Sequence, residues 1–352
     1  MPNLIFRHVL TTDPPAPVTP APRARSAARL PLVLAAGLGL LALCAALSLA
    51  LGSRTIPLET VVGALTGSEH GGDADVVTGL RLPRTLIGLA VGAALGVAGA
   101  VAQGVTRNPL ASPITLGINA GASFAVVAAI YTFELTRPLE YVWFAFAGAA
   151  VAAVAAYAMS RRGGDLDPIR LALGGTVLTV VLTSWTSALM LASHRTLDEA
   201  RFWLAGSVAG RHLDTLVPVL PFLAVGLIAS FAVAPSLNAL ALGDESAQSL
   251  GVPVARIRVV GGLAVVLLAG SAVAVAGPIA FIGLAAPHLV RPFLGNDHRL
   301  LLPGCLIVGP SLLLAADVLG RVVARPSELE VGIVTAFLGA PLLAVLARKV
   351  AR

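Results

Sequence analysis

Ten stretches of about twenty apolar residues follow one another along this chain, and that rhythm limits the fold more than any single motif. A bilayer core takes roughly 20 apolar residues per helix, and backbone in lipid must satisfy its own hydrogen bonds. The stretches fall near 30–51, 85–105, 114–132, 141–159, 169–192, 214–234, 256–276, 279–295, 301–320 and 331–348. The expected fold class is all-α, a polytopic membrane protein with about ten transmembrane helices. Of the 352 residues, 57% are hydrophobic and 12% charged, against about 25% charged in a soluble domain.

Residues 1–29 form a Pro-, Ala- and Arg-rich tail without periodicity, expected to be a disordered cytoplasmic segment. Residues 30–352 then make one transmembrane domain. The run from Leu30 to Leu51 is too long for a signal-peptide core and is succeeded by further spans, so it reads as the first membrane helix. An inside N-terminus leaves 15 of the 24 Lys and Arg on the inner side and 12 of the 18 Asp and Glu outside. An even number of spans returns the C-terminus to the cytoplasm. The remaining arginines lie outside, against the tendency for bases to stay inside, and call for partners.

Composition also excludes chemistry. Lys349 is the sole lysine and no Gly precedes it, so the chain lacks the Gly-Lys-Ser/Thr of a nucleotide-binding P-loop. ATP-driven work would fall to another subunit. Cys44 and Cys305 both lie in apolar runs and read as inert buried thiols. No metal-ligand spacing, cofactor motif or catalytic constellation is present, and no basic patch with interleaved aromatics suggests nucleic acid.

Several short patterns carry more. Arg81-Leu82-Pro83-Arg84 sets two charges at the lip of a span that ends in Gln103-Gly104 and the break Asn108-Pro109. Charges so placed usually meet a partner. Thr176, Thr179, Thr183 and Ser187 fall on one face of the fifth span. They read either as the lining of a translocation path or as hydroxyls bonded back to their own helix. The segment Leu242 to Pro253 reads as a short helix, capped by Asp244 and stopped by Gly251 and Pro253. Ala247 and Leu250 would then be free to meet a partner, unless the segment is an ordinary loop. Gly277-Pro278 interrupts the chain again, with His288 read as bonded at a helix end. Asp317 and Arg321, four apart, form an expected ion pair.

Taken in order, these residues resemble the FecCD-type permeases, membrane subunits of ABC importers for ferric siderophores, haem and vitamin B12. The resemblance runs through Arg81-Leu82-Pro83-Arg84, Asn108-Pro109-Leu110-Ala111, Leu242-Gly243-Asp244, Leu250-Gly251-Val252 and Gly277-Pro278. It continues through Phe281-Ile282-Gly283-Leu284, Pro287-His288, Asp317, Arg321, Glu328, Gly332, Gly339 and Pro341, covering nearly all of 56–348. It implies a dimer of permease subunits, identical or paired with a sister chain, around a central path. Two cytoplasmic ATP-binding subunits would dock below and an extracytoplasmic substrate-binding protein above. Arg81, Arg84 and Arg321 match the arginines that receive the binding protein's acids. Leu242, Gly243, Asp244, Ala247, Leu250 and Gly251 match the ATPase-coupling segment, and Thr176, Thr179, Thr183 and Ser187 a path-lining helix. Where the family usually has Leu-Pro-Val-Gly, this chain has Leu329-Glu330-Val331-Gly332, which loosens the entry to the last helix.

The function implied is passage of a metal chelate, a ferric siderophore foremost, with no chemistry performed on it. An ion-coupled secondary transporter would use similar broken helices but needs a titratable group inside the membrane. An intramembrane protease resting on Ser123 and His288 lacks a residue to support that histidine.

Overall fold

Helix after helix crosses the same slab, and the order tracks the apolar rhythm. The structure, a computed structural model, describes residues 30–162, 165–166 and 168–350. The expected tail at 1–29 lies outside the described residues. In chain order the helices are α1 (Leu30–Ala50), α2 (Leu58–Thr66), α3 (Asp73–Thr106), α4 (Ile118–Phe133), α5 (Pro138–Ser160) and α6 (Pro168–Ala192). Next come α7 (His194–Leu204), α8 (Leu213–Leu240), α9 (Asp244–Ser249), α10 (Val254–Ala276), α11 (Ile282–Leu294), α12 (His298–Val323) and α13 (Val331–Val350).

Among the described residues seven of these are long and apolar enough to cross a membrane: α1, α3, α5, α6, α8, α10 and α12. With α4, α11 and α13 they match the ten expected spans, while α2, α7 and α9 are short connecting helices. The 13 residues of α11 span only about 20 Å, less than the hydrocarbon core.

Three boundaries differ from the sequence reading, each for a local reason. The third span begins at Ile118 rather than 114 because Pro113–Leu116 forms a 3-10 turn closed by Gly117 at φ 72°. The sixth span extends to Leu240 and not 234, since Pro235 is accommodated inside the helix. The eighth begins at Ile282 because Gly277 and Phe281 both have positive φ, 74° and 68°. Pro287 and Pro292 lie inside α11 without breaking it.

The core is organised on α3, whose apolar stretch has 78% of its residues buried, against 11% in the apolar stretches of α1 and α6. Small residues let its neighbours close in. A Cβ on Gly92 would stand 2.5 Å from the Pro310 Cα of α12, and one on Gly99 would overlap the Gly283 carbonyl of α11. Backbones that approach this closely replace the hydrophobic drive that lipid removes. α1 packs mainly on α12, and α6 on α4 and α5.

Candidate functional site

The polar side chains singled out in the sequence gather mainly at the two ends of the bundle and on one face of α6. At one end, α1 stops at Ala50 and leaves its last carbonyls without helical partners. Two arginines supply donors. Arg81 Nη1 donates to the Leu49 and Ala50 carbonyls at 2.8 and 2.7 Å, and its Nη2 to the Arg54 carbonyl at 2.7 Å. Arg321 Nη1 donates to the Ser48 and Leu51 carbonyls at 2.9 and 2.8 Å, and its Nη2 to Ser48 Oγ at 2.9 Å. Positive charge at a helix C-terminus is also favoured by the helix dipole. Gly52 makes room, since a Cβ there would sit 2.8 Å from Arg81 Nη2.

Asp317, 1% exposed, joins the arginines. It receives Arg321 Nη2 at 2.7 Å, four residues on as the sequence suggested, and Arg84 Nη2 at 2.7 Å. Arg84 Nη1 also reaches Glu328 at 2.7 Å. The cluster ties α1, α3, α12 and the 324–330 turn together. Arg81 and Arg321, expected at a docking surface, are 6% and 1% exposed. Their donors are engaged inside the protein, on the carbonyls at and just beyond the end of α1. They still line the floor of a cavity of about 380 Å³ with Arg54, Arg84, Arg211, His212 and Glu328. The part of Ser48, Gly52 and Thr85, whose hydroxyl bonds Ser48 Oγ at 2.8 Å, was not legible in sequence. Their carbonyls, hydroxyls and lack of side chain carry no pattern until helices more than thirty residues apart meet.

At the opposite end, α9 comes after α8 and a sharp turn. Its first residue is Asp244 and its cap is Gly243 at φ 105°, with no side-chain bond. Asp244 is therefore not the cap that the sequence suggested. Its carboxylate instead takes Arg258 Nη2 of α10 at 2.8 and 3.0 Å and faces Arg107 Nη2, from the end of α3, at 3.5 Å. Gly251 at φ 79° closes the helix, with bonds from the Gly251 and Val252 amides to the Gln248 and Ala247 carbonyls. Leu242 and Leu250 are 66% and 64% exposed, but Ala247 is fully buried against Leu240 and Val254. The expectation that Ala247 meets a partner is corrected: it is the foot of α9, and Leu242 and Leu250, which flank the helix, are exposed beside it. Nearby, Asn238 Oδ1 accepts from the His298 amide, and Asn238 Nδ2 donates to Asp297. Slight burial disfavours the Asp297 charge, but the Arg299 amide and Asn238 outweigh it and hold that carboxyl below its usual range.

The face of α6 answers the sequence alternatives residue by residue. Thr176 and Thr179 donate to the Ala172 and Gly175 carbonyls of their own helix, each at 2.8 Å. Thr176, Thr183 and Ser187 are exposed, and Thr179 is half-buried. The hydroxyls thus flank the uncovered side of a helix that the rest of the chain leaves open.

Both structural breaks are present. Asn108 Oδ1 accepts from the Leu110 amide across Pro109, ending α3 after Thr106. Gly277 and Pro278 end α10 against Trp203 and Gly206, where Cβ atoms would overlap backbone carbonyls. His288 bonds the Leu284 carbonyl in its own helix, and among the described residues no cluster could hold a metal.

These features meet known proteins over nearly their whole length. The model of the FecCD transport family matches residues 40–349. The ferric enterobactin transport system permease protein FepD of Escherichia coli (strain K12) is 47% identical over 315 residues, 89% of this chain and 94% of FepD. A siderophore transport system permease protein, YfiZ of Bacillus subtilis (strain 168), is 39% identical over 89% of this chain and 94% of its own. A solved metal-chelate type ABC transporter in an inward-facing conformation superposes with a TM-score of 0.79 at 28% identity, covering 91% of this chain and 99% of that one. With the family model matching residues 40–349 and a relative 47% identical over 89% of this chain, the chain belongs to the FecCD transport family.

Proposed function

We propose that this chain is the membrane permease of a binding-protein-dependent ABC importer and passes a ferric siderophore. The observation that carries the substrate class is the 47% identity to the ferric enterobactin permease across 94% of that protein. Two copies, or this chain and a sister, enclose a path with α6 on its wall. The exposed face of α6, with Thr176, Thr183 and Ser187, supports that assignment. The arginine end faces outward and both termini face the cytoplasm.

Two ATP-binding subunits dock on α9 through Leu242 and Leu250. The Asp244 pairs with Arg258 and Arg107 carry their movement into α10 and α3. ATP binding and hydrolysis there bias two conformations of the dimer. A substrate-binding protein docks over the outer cavity, whose floor carries Arg81, Arg84 and Arg321 and whose wall carries Arg211. An ion-coupled carrier would need a titratable carboxylate in the spans, and Asp317 is already held by two arginines.

The test is purification of the tagged chain from native membranes, then reconstitution with the proteins that copurify. Recovery of a Walker-motif ATPase and ATP-dependent ferric-siderophore uptake is the expected result. Uptake by the chain alone, driven by an ion gradient, would overturn the reading.

A further inference from the structure

A crevice of about 280 Å³ opens on the flank of the bundle between α5 and α10, with α3 and α6 behind it. At its mouth Val154, Val259 and Leu263 are 67, 49 and 55% exposed, and its walls are alanine, valine and leucine. Among the described residues one charged side chain lines it: Arg258, 4% exposed. Arg258 Nη2 is taken by Asp244, but its Nε is buried and has no acceptor. A charged donor buried without a partner is unfavourable, so the guanidinium that lines the crevice is one acceptor short. The ion-paired group Arg107, Asp244 and Arg258 carries two positive charges against one negative.

The polar and apolar parts are layered. Arg258 stands five residues into α10, Tyr157 lies close to the end of α5, and Thr106 is the last residue of α3. With the arginine end of the bundle outward, all three sit at the depth of the inner headgroups. Ala150 and Val266 line the crevice two turns deeper, among acyl chains. Basic pockets between membrane helices on that side are where anionic lipid headgroups bind.

We propose that this crevice holds an anionic phospholipid of the inner leaflet, its phosphate at the Arg258 guanidinium and one acyl chain between α5 and α10. Arg258 then bridges lipid and α9, so lipid occupancy stiffens the link through which the ATPase acts. The lipid site stands on the crevice and on the outward arginine end, whereas its effect on coupling rests on α9 being the ATPase dock.

Gly262 provides a clean test, because it lines the crevice and a side chain there would meet nothing within 4 Å. Gly262→Leu and Val154→Trp fill the crevice without touching Asp244. Gly39→Leu, on the exposed side of α1 with equal free space, is the control. The permease with its ATPase subunits would be placed in nanodiscs of phosphatidylcholine and phosphatidylglycerol, and retained lipid counted by native mass spectrometry. The wild type and Gly39→Leu should retain phosphatidylglycerol over phosphatidylcholine by about fivefold, the effect of one basic group near a membrane surface. Both filling variants and Arg258→Gln should lose that preference. Equal retention of the two lipids by the wild type, or undiminished phosphatidylglycerol in both filling variants, would overturn the proposal. If the filling variants lose the lipid yet couple ATP hydrolysis to uptake as before, the site is upheld and its tie to α9 is refuted.

Discussion

Replacing Asp317 by Asn should loosen α1 from the bundle. The carboxylate is 1% exposed and joins Arg321 and Arg84, both at 2.7 Å. Asn keeps the shape and one acceptor but removes the charge. Arg84 retains Glu328, whereas Arg321, 1% exposed, is left with no carboxylate. Leaving one charge of a buried pair uncompensated costs about 3–5 kcal/mol, and the remaining amide oxygen favours the lower end. Arg321 also holds the Ser48 and Leu51 carbonyls, so the loss falls on the α1 terminus. Cys44, buried one turn earlier, reports its release. In detergent-purified protein, alkylation of Cys44 by a permeant maleimide should accelerate about 100-fold, since 1.4 kcal/mol is a factor of ten. Cys305, fully buried against α3, is the internal reference. Glu328→Gln should change little, because its partner oxygen lies at a 34% exposed side chain and such pairs contribute about 0–1 kcal/mol. A Cys44 rate unchanged in Asp317→Asn would refute the view that this cluster fastens α1.

Gly99→Ala places a methyl against the Gly283 carbonyl, and overpacking of that kind costs about 1–3 kcal/mol. Lower thermal stability of the purified chain should result. Leu250→Arg alters an exposed side chain of α9, so the subunit should fold normally while ATP hydrolysis no longer drives uptake. Coupled uptake in that variant would remove α9 from the ATPase interface. Asp244→Asn should impair coupling as well, through the lost Arg258 pair. Thr183→Val should leave stability unchanged but alter uptake, and unchanged uptake would take that hydroxyl off the path. Arg211→Glu, at the cavity wall, should weaken docking of the binding protein with the permease intact. Arg81→Glu is expected to destabilise the subunit itself, because that side chain is 6% exposed.

The membrane class, the succession of apolar helices, the breaks at Asn108-Pro109 and Gly277-Pro278, and the Asp317–Arg321 pair were all legible in the order of the residues. All of these are local: apolar length, proline, glycine and an i, i+4 spacing act within one helix or turn. Arg81, Arg84 and the α9 segment also stood out as special, but the contacts they make came from packing. Arg81 and Arg321 look like surface charges between spans, yet they are donors to the end of α1, and Ala247 turned out to be an anchor. The crevice at Arg258 is likewise invisible in sequence, because its walls come from four helices. Helix formation is set by neighbours in the chain, whereas the partner of a buried charge is set by whichever helix packs beside it.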